Sequence, residues 1–284
     1  MKSNRVLAWL RNPWAQARFL WVATLAYVVW ALVPVAIAIL FSFNDGRSIS
    51  TWQGFSTQWY AGSVNSVAQD PVLRSALFNT FRLAALTAVI AVPFGVAFAL
   101  GLDRWHGRGS GAANFLMLFS FITPEIAIAV ALFLFFVQVF TVVALGLPAQ
   151  LLGLSMFEMA YPVIIVRARL LSIGREYEEA AMDLGASPSA ALYRVLLRML
   201  APAIFASAAI VFATTLDDFV LAQQLNLDAS TQTIPILIYG SARTGPLPSL
   251  NALASLTLLG SIVVIGSALL FYRRTSRTES RLTR

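Results

Sequence analysis

Four carboxylates occupy positions where a carboxylate is costly. Glu125, Glu158, Asp217 and Asp218 each lie inside a long apolar stretch. An ionisable group within a membrane span costs roughly 2.5 to 3.5 kcal/mol on insertion scales, so each is a candidate site. The chemistry they offer is electrostatic: an acidic lining that attracts a cationic solute. A structural reading stands beside it, in which they pair with Arg82 or with a partner subunit, or cap broken helices. Covalent and metal chemistry have little to work with. There is no cysteine, and the single histidine, His106, makes a histidine-based metal site implausible. No Gly-x-x-x-x-Gly-Lys-Ser/Thr loop is present, so ATP has no phosphate cradle on this chain.

A second stretch stands out for the opposite reason. Glu178-Glu179-Ala180-Ala181-Met182-Asp183-Leu184-Gly185-Ala186-Ser187-Pro188 is a charged island in an otherwise hydrocarbon-rich chain. Tyr177, Ala180, Ala181 and Leu184 follow the i, i+3, i+4, i+7 spacing of one apolar helix face. Gly185 falls where a left-handed C-terminal cap belongs. Ser187 and Pro188 are an N-cap and first-turn proline for a second helix. Its apolar face would be Leu192, Val195, Leu196 and Met199, with Pro202 ending or bending it. The expectation is helix, sharp turn, helix. An ordinary solvated loop helix is the plain alternative.

The elements that position these residues follow from composition. Of 284 residues, 58% are hydrophobic and only 12% charged, with a mean hydropathy of +0.75. A soluble domain carries about a quarter charged residues, so an integral membrane protein is the default. The first apolar run, 20–41, is 22 residues, roughly 33 Å as a helix and long enough to cross a core of about 30 Å. It is too long for a cleaved leader and reads as a retained span with Pro34 as a candidate kink. Further runs are expected at about 75–100, 112–140, 151–166, 202–222 and 250–272. Glu125 would lie roughly 18 Å into the third span and the aspartate pair roughly 24 Å into the fifth. Adjacent residues on a helix point about 100° apart, so only one of the two aspartates is expected to face a pathway. Arg82 reads as a snorkelling arginine, Trp21, Trp30 and Phe133 to Phe136 as lipid-facing or packing residues, and His106 as a solvated loop residue. Trp52, Phe55, Trp59 and Tyr60 in the first loop suit a membrane interface.

Orientation follows from the basic residues. Sixteen of the 20 lie in the two termini and the second and fourth loops, against Arg47, Arg74 and Arg243 in the others, with Arg82 inside a span. The positive-inside rule puts both termini and the charged island in the cytoplasm. The net charge of +7 is thus topogenic and gives no reason to expect nucleic acid. The organisation expected is a cytoplasmic segment 1–19, one six-span domain 20–272 with a cytoplasmic loop at about 167–201, and a basic tail 273–284 near anionic lipid.

Glu179-Ala180-Ala181, three residues, Gly185, nine residues and Val195-Leu196-Leu197 resemble the EAA loop of ABC-importer permeases. One position departs: Arg198 stands where the family has proline. Trp52-Gln53-Gly54-Phe55-Ser56, Trp59-Tyr60, Thr123-Pro124-Glu125-Ile126, Leu216-Asp217-Asp218-Phe219-Val220, Ile234-Pro235-Ile236 and Asn251-Ala252-Leu253 are similar, in order, to spermidine/putrescine-type permeases. The fourth span departs too, with Glu158 about where relatives often carry histidine. The resemblance implies the all-α type I ABC-importer permease fold and a multi-pass protein of the bacterial inner membrane. It also implies that Glu179, Ala180, Ala181 and Gly185 contact a separate ATPase, which alone binds ATP and Mg. Further implied partners are a second, similar permease and an external solute-binding protein. The solute class implied is a polyamine or related small cation, carried without any cofactor on this chain. The rival readings are an ABC permease for another small solute, an ion-coupled secondary transporter using the buried carboxylates, and a channel or structural membrane subunit without transport.

Overall fold

The computed structural model describes residues 18–48, 50–105, 107–244 and 248–282. The basic residues Lys2, Arg5, Arg11 and Arg284 and the loop residue His106 lie outside the described residues. Helix α1, Arg18–Phe41, contains Pro34 and is almost wholly exposed, Trp21 and Trp30 included. An apolar helix with no face buried within its own chain is one whose solvent is lipid or another subunit.

The first loop closes on itself around Asn44. Its amide donates to the carbonyls of Ser48 (2.8 Å) and Thr51 (3.1 Å) and accepts from the Gln53 N–H (2.7 Å). The Trp59 indole, on the short helix α2 (Gln58–Ala61), donates to the Asn44 carbonyl at 2.6 Å. Trp59 is therefore not an interfacial residue. It is buried with Val67, Leu73, Ala76, Ile234, Leu250 and Leu253, while Phe55 and Trp52 remain exposed. An indole can be fully buried only where its N–H finds an acceptor, and Asn44 supplies it.

Helix α3, Pro71–Arg104, starts earlier and ends later than the apolar run alone indicates. Asp70 caps it by accepting from the Val72 and Leu73 N–H groups, and Pro71 opens it. The third apolar run is two helices, α4 (Ser110–Ile122) and α5 (Glu125–Leu134), the latter ending in a wide π turn, Phe135–Val139. Thr123 is extended, with ψ of 129°, because proline disfavours helical geometry in the residue before it, and Pro124 is extended too, with ψ of 130°. A continuous 112–140 span is thus corrected to two shorter pieces.

The fourth run is longer than 151–166. Helices α6 (Leu147–Glu158) and α7 (Ala160–Ile173) join through Met159, 27 residues in all. Pro162 has no N–H to offer the Glu158 carbonyl, and the bend falls there. The charged island gives α8 (Glu176–Asp183) and α9 (Pro188–Ala191). After a π turn, Leu192–Leu196, the chain runs on as α10 (Leu197–Asp217). Pro202 neither ends nor restarts the helix, so the segment beginning at Pro188 is one with the fifth span. That span stops at Asp217 rather than 222. Asp218 is extended and α11 (Val220–Gln224) begins anew.

Asp228 then caps a 3-10 turn, Ala229–Thr231, where bonds from the Ser230 hydroxyl and N–H hold its carboxyl below the usual range. Helices α12 (Ile234–Thr244) and α13 (Pro248–Leu282) complete the chain. Among the described residues, five helices are long and apolar enough to cross a membrane. The split third run adds shorter ones. The main core lies where α3, α7 and α10 pack, around Ala91, Val96, Val163, Val166, Leu200 and Val211. Arg82 is exposed on α3.

Candidate functional site

The helix ends converge, and they bring the four carboxylates with them. Glu125 opens α5, Glu158 closes α6, and Asp217 closes α10 with Asp218 as its cap. All four line one cavity of about 480 Å³, together with Phe157, Tyr161, Ala213, Thr214, Phe219 and Val220. Among the described residues, no lysine or arginine lines it. Arg82, the candidate structural partner, is not part of this wall.

Each carboxylate is held differently. Glu158 is 2% exposed, and its Oε2 accepts from the Thr214 hydroxyl at 2.6 Å. Asp218 is 9% exposed; its Oδ1 accepts from the Ala222 N–H at 3.0 Å. Its carboxyl also meets that of Glu125. Glu125 is half-buried in the first turn of α5, where the helix dipole favours negative charge. Asp217 is exposed and also borders a neighbouring groove of about 720 Å³ lined by Phe219, Tyr239, Thr257 and Ser261. The rings of Phe219 and Tyr239 lie 4.3 Å apart across that boundary.

Both aspartates reach the cavity, contrary to the helical-wheel expectation. The wheel assumes a continuous helix; here it ends between them, and the extended Asp218 turns back toward Glu125. Thr214 and Tyr161 were not among the residues singled out from sequence. Thr214 sits one helical turn before Asp218, so a hydroxyl at i−4 from the acidic pair was the available signal. Tyr161 follows Glu158 by three residues across the bend.

The charged island folds as its capping residues require. Gly185 has φ +89°, its N–H donates to the Met182 carbonyl (2.9 Å), and the Ala186 N–H donates to the Ala181 carbonyl (3.0 Å). This pair of bonds is a Schellman cap, which needs a left-handed residue at Gly185. The Ser187 hydroxyl accepts from the Ala190 N–H at 3.3 Å. Nothing in α8 is buried: Leu184 is 90% exposed, and Tyr177, Glu179 and Ala180 are exposed as well. A Cβ on Gly185 would meet nothing within 4 Å. The apolar face of α8 is therefore presented outward, unpacked, next to a glycine that leaves room for close approach. Arg104 pairs with Glu178 (2.5 Å) and Arg175 with Asp103 (3.9 Å), tying α8 to the end of α3.

The model for the family described as binding-protein-dependent transport system inner membrane component matches residues 91–277. The putrescine transport system permease protein PotI of Escherichia coli (strain K12) is 32% identical over 264 residues, 90% of this chain and 89% of that protein. The spermidine/putrescine transport system permease protein PotC of the same strain is 29% identical over 248 residues, 87% and 91% of the two chains. Among solved structures, a bacterial ABC transporter involved in the import of the acidic polysaccharide alginate superposes with a TM-score of 0.70. The match covers 90% of this chain and 95% of that one at 16% identity, a likeness of fold alone.

Proposed function

Because the chain belongs to the family of binding-protein-dependent transport system inner membrane components, and is a multi-pass permease subunit of an ABC importer rather than an enzyme, we propose that it conducts a small polycation of the polyamine class. The observation that carries this reading is the cavity in which Glu125, Glu158, Asp217 and Asp218 meet, with no basic residue in its wall among the described residues. Four carboxyl groups within such a volume repel one another unless neutralised. A compact polyamine carries two or more ammonium groups on a methylene chain and can neutralise several carboxylates at once. The names of PotI and PotC support the same class.

Mechanically, the reading places both termini and α8 in the cytoplasm of a bacterium and the protein in its inner membrane. Glu179, Ala180, Ala181 and Gly185 form the face that seats in a separate ATPase, which binds ATP and Mg. A second permease copy or homologue closes the pathway against the exposed α1 and α5 surfaces, and an external binding protein delivers solute. The unpacked apolar face of α8 supports this docking assignment. Nucleotide-driven closure of the ATPase pulls on α7 and α10, which α8 and α9 join, and so alters the cavity that Glu158 and Asp217 border.

The test is uptake of labelled putrescine by vesicles carrying the complete transporter. Asp218→Asn is expected to lower uptake at least about tenfold, the scale of losing one charge-assisted contact of 1.5 to 3 kcal/mol, with the ATPase still bound. Unchanged putrescine uptake, or transport of an anion in its place, would contradict the proposal.

A further inference from the structure

Helix α3 touches three places that the transport cycle must connect. At one end, Asp103 and Arg104 face Arg175 and Glu178 at the start of α8. The Arg175 guanidinium also donates to the Asp103 carbonyl at 3.2 Å. Between the ends, Gly95 lies against the α6–α7 bend: a Cβ there would stand 2.5 Å from Pro162 Cγ and 3.0 Å from the Met159 carbonyl oxygen. At the other end, the Asn79 amide donates to the Ser230 (2.8 Å) and Gln232 (3.1 Å) carbonyls, and the Thr80 hydroxyl accepts from the Ile234 N–H (2.9 Å). At 1.5 Å per residue its 34 residues span about 51 Å.

We propose that α3 is a third driven element of the transporter, locked to the docking helix α8 by two crossed ion pairs, Arg104–Glu178 and Asp103–Arg175. This rests on reading α8 as the ATPase-docking helix. Chain connectivity gives α8 a grip on α7 and α10 only; α3 is separated from it by more than seventy residues of sequence. Core packing against α7 and α10 couples α3 to α8 indirectly, and the ion pairs add a direct link at the helix end. Exposed pairs add little to stability, but polarity gives these two a register. Acid then base on α3 meets base then acid at α8, so a slip brings Asp103 toward Glu178 or Arg104 toward Arg175, like against like. The helix dipoles agree with the arrangement. Arg104 is in the last turn of α3 and Glu178 in the first turn of α8, each where its charge is favoured. Displacement of α8 therefore reaches the Glu158 bend through Gly95 and the far mouth through Asn79 and Thr80.

The absence of native cysteine allows a direct test. Spin labels are placed at Gly101→Cys on α3, where a side chain meets nothing within 4 Å, and at exposed Ser189→Cys on α9. Distances are measured on the complete transporter, nucleotide-free and ATP-trapped. The expected result is one unchanged distance in the parent. Glu178→Arg should let it change by about 5 Å, the scale of a one-turn slip, and the swap Arg104→Glu with Glu178→Arg should restore it. ATP hydrolysed per putrescine imported should rise several-fold in Glu178→Arg and return in the swap. A parent distance that changes on trapping, a Glu178→Arg distance that does not, or a swap that fails to restore either readout overturns the proposal. Loss of the ATPase from the Glu178→Arg complex, not recovered by the swap, makes Glu178 a docking contact and overturns the clamp alone. An ATPase that stays bound to Gly185→Arg overturns the docking reading and the clamp with it.

Discussion

Asp217 and Asp218 share a peptide bond but not an environment. Asp218 is buried against Glu125 and the Ala222 N–H, whereas Asp217 is exposed at the rim between two cavities. Asp218→Asn should therefore impair uptake more than Asp217→Asn, and a side-by-side uptake measurement reads the difference. Equal losses would mean that the burial of Asp218 has no bearing on transport. Thr214→Val removes the hydroxyl that donates to Glu158 Oε2 while keeping the shape of the side chain. It should weaken uptake and also lower the melting temperature in detergent, because a buried carboxyl group loses about 1.5 to 3 kcal/mol of hydrogen bonding. At Gly185 the backbone itself decides. With φ +89°, any side chain is strained there, and Arg adds bulk on the docking side. Gly185→Arg should abolish co-purification of the ATPase; a stable complex would refute the docking role.

At the scale of elements, prolines and close contacts shape the carboxylate cavity. Pro124 splits the third apolar run so that Glu125 starts a helix, and Pro162 leaves the Glu158 carbonyl without its helical donor. Gly95 admits α3 to that bend. Gly95→Val forces side-chain atoms into Pro162 and should cost about 1 to 3 kcal/mol by overpacking. Gly101→Ala, on the same helix with open space, should instead leave the melting temperature in detergent unchanged or slightly raised. Comparable destabilisation by both would show that the Gly95 contact is not tight. The same elements show what was legible in the sequence. Hydropathy marked the apolar runs that the five long helices contain, though not their ends, and capping rules placed the turn at Gly185, because both signals are local. The breaks at Thr123-Pro124 and after Asp217 were not placed. A proline is tolerated within α1, α3 and α10 yet breaks the third run, and only tertiary packing separates the cases. Trp59 shows the same limit: its aromatic character fits a membrane interface, but its buried position depends on the carbonyl of Asn44, fifteen residues away.

At the scale of the whole molecule, the fold is asymmetric between its ends. One end carries α8, with Arg104, Arg175 and Glu178; the other is closed by the Asn44 loop and the Trp59 cluster. If α8 is cytoplasmic, as proposed, a reporter at exposed Ser189 should be labelled only after a membrane-impermeant reagent reaches the cytoplasm, and one at exposed Val64 from outside. The reverse pattern would invert the topology. On the proposed reading a separate ATPase drives this permease to move a polycation through the acidic cavity. Its most direct measurement is putrescine accumulation in proteoliposomes holding the complete transporter, with ATP supplied on the α8 side and no ion gradient. Accumulation is expected to require ATP and to be lost in Gly185→Arg. Accumulation without ATP that follows a proton or sodium gradient would contradict it.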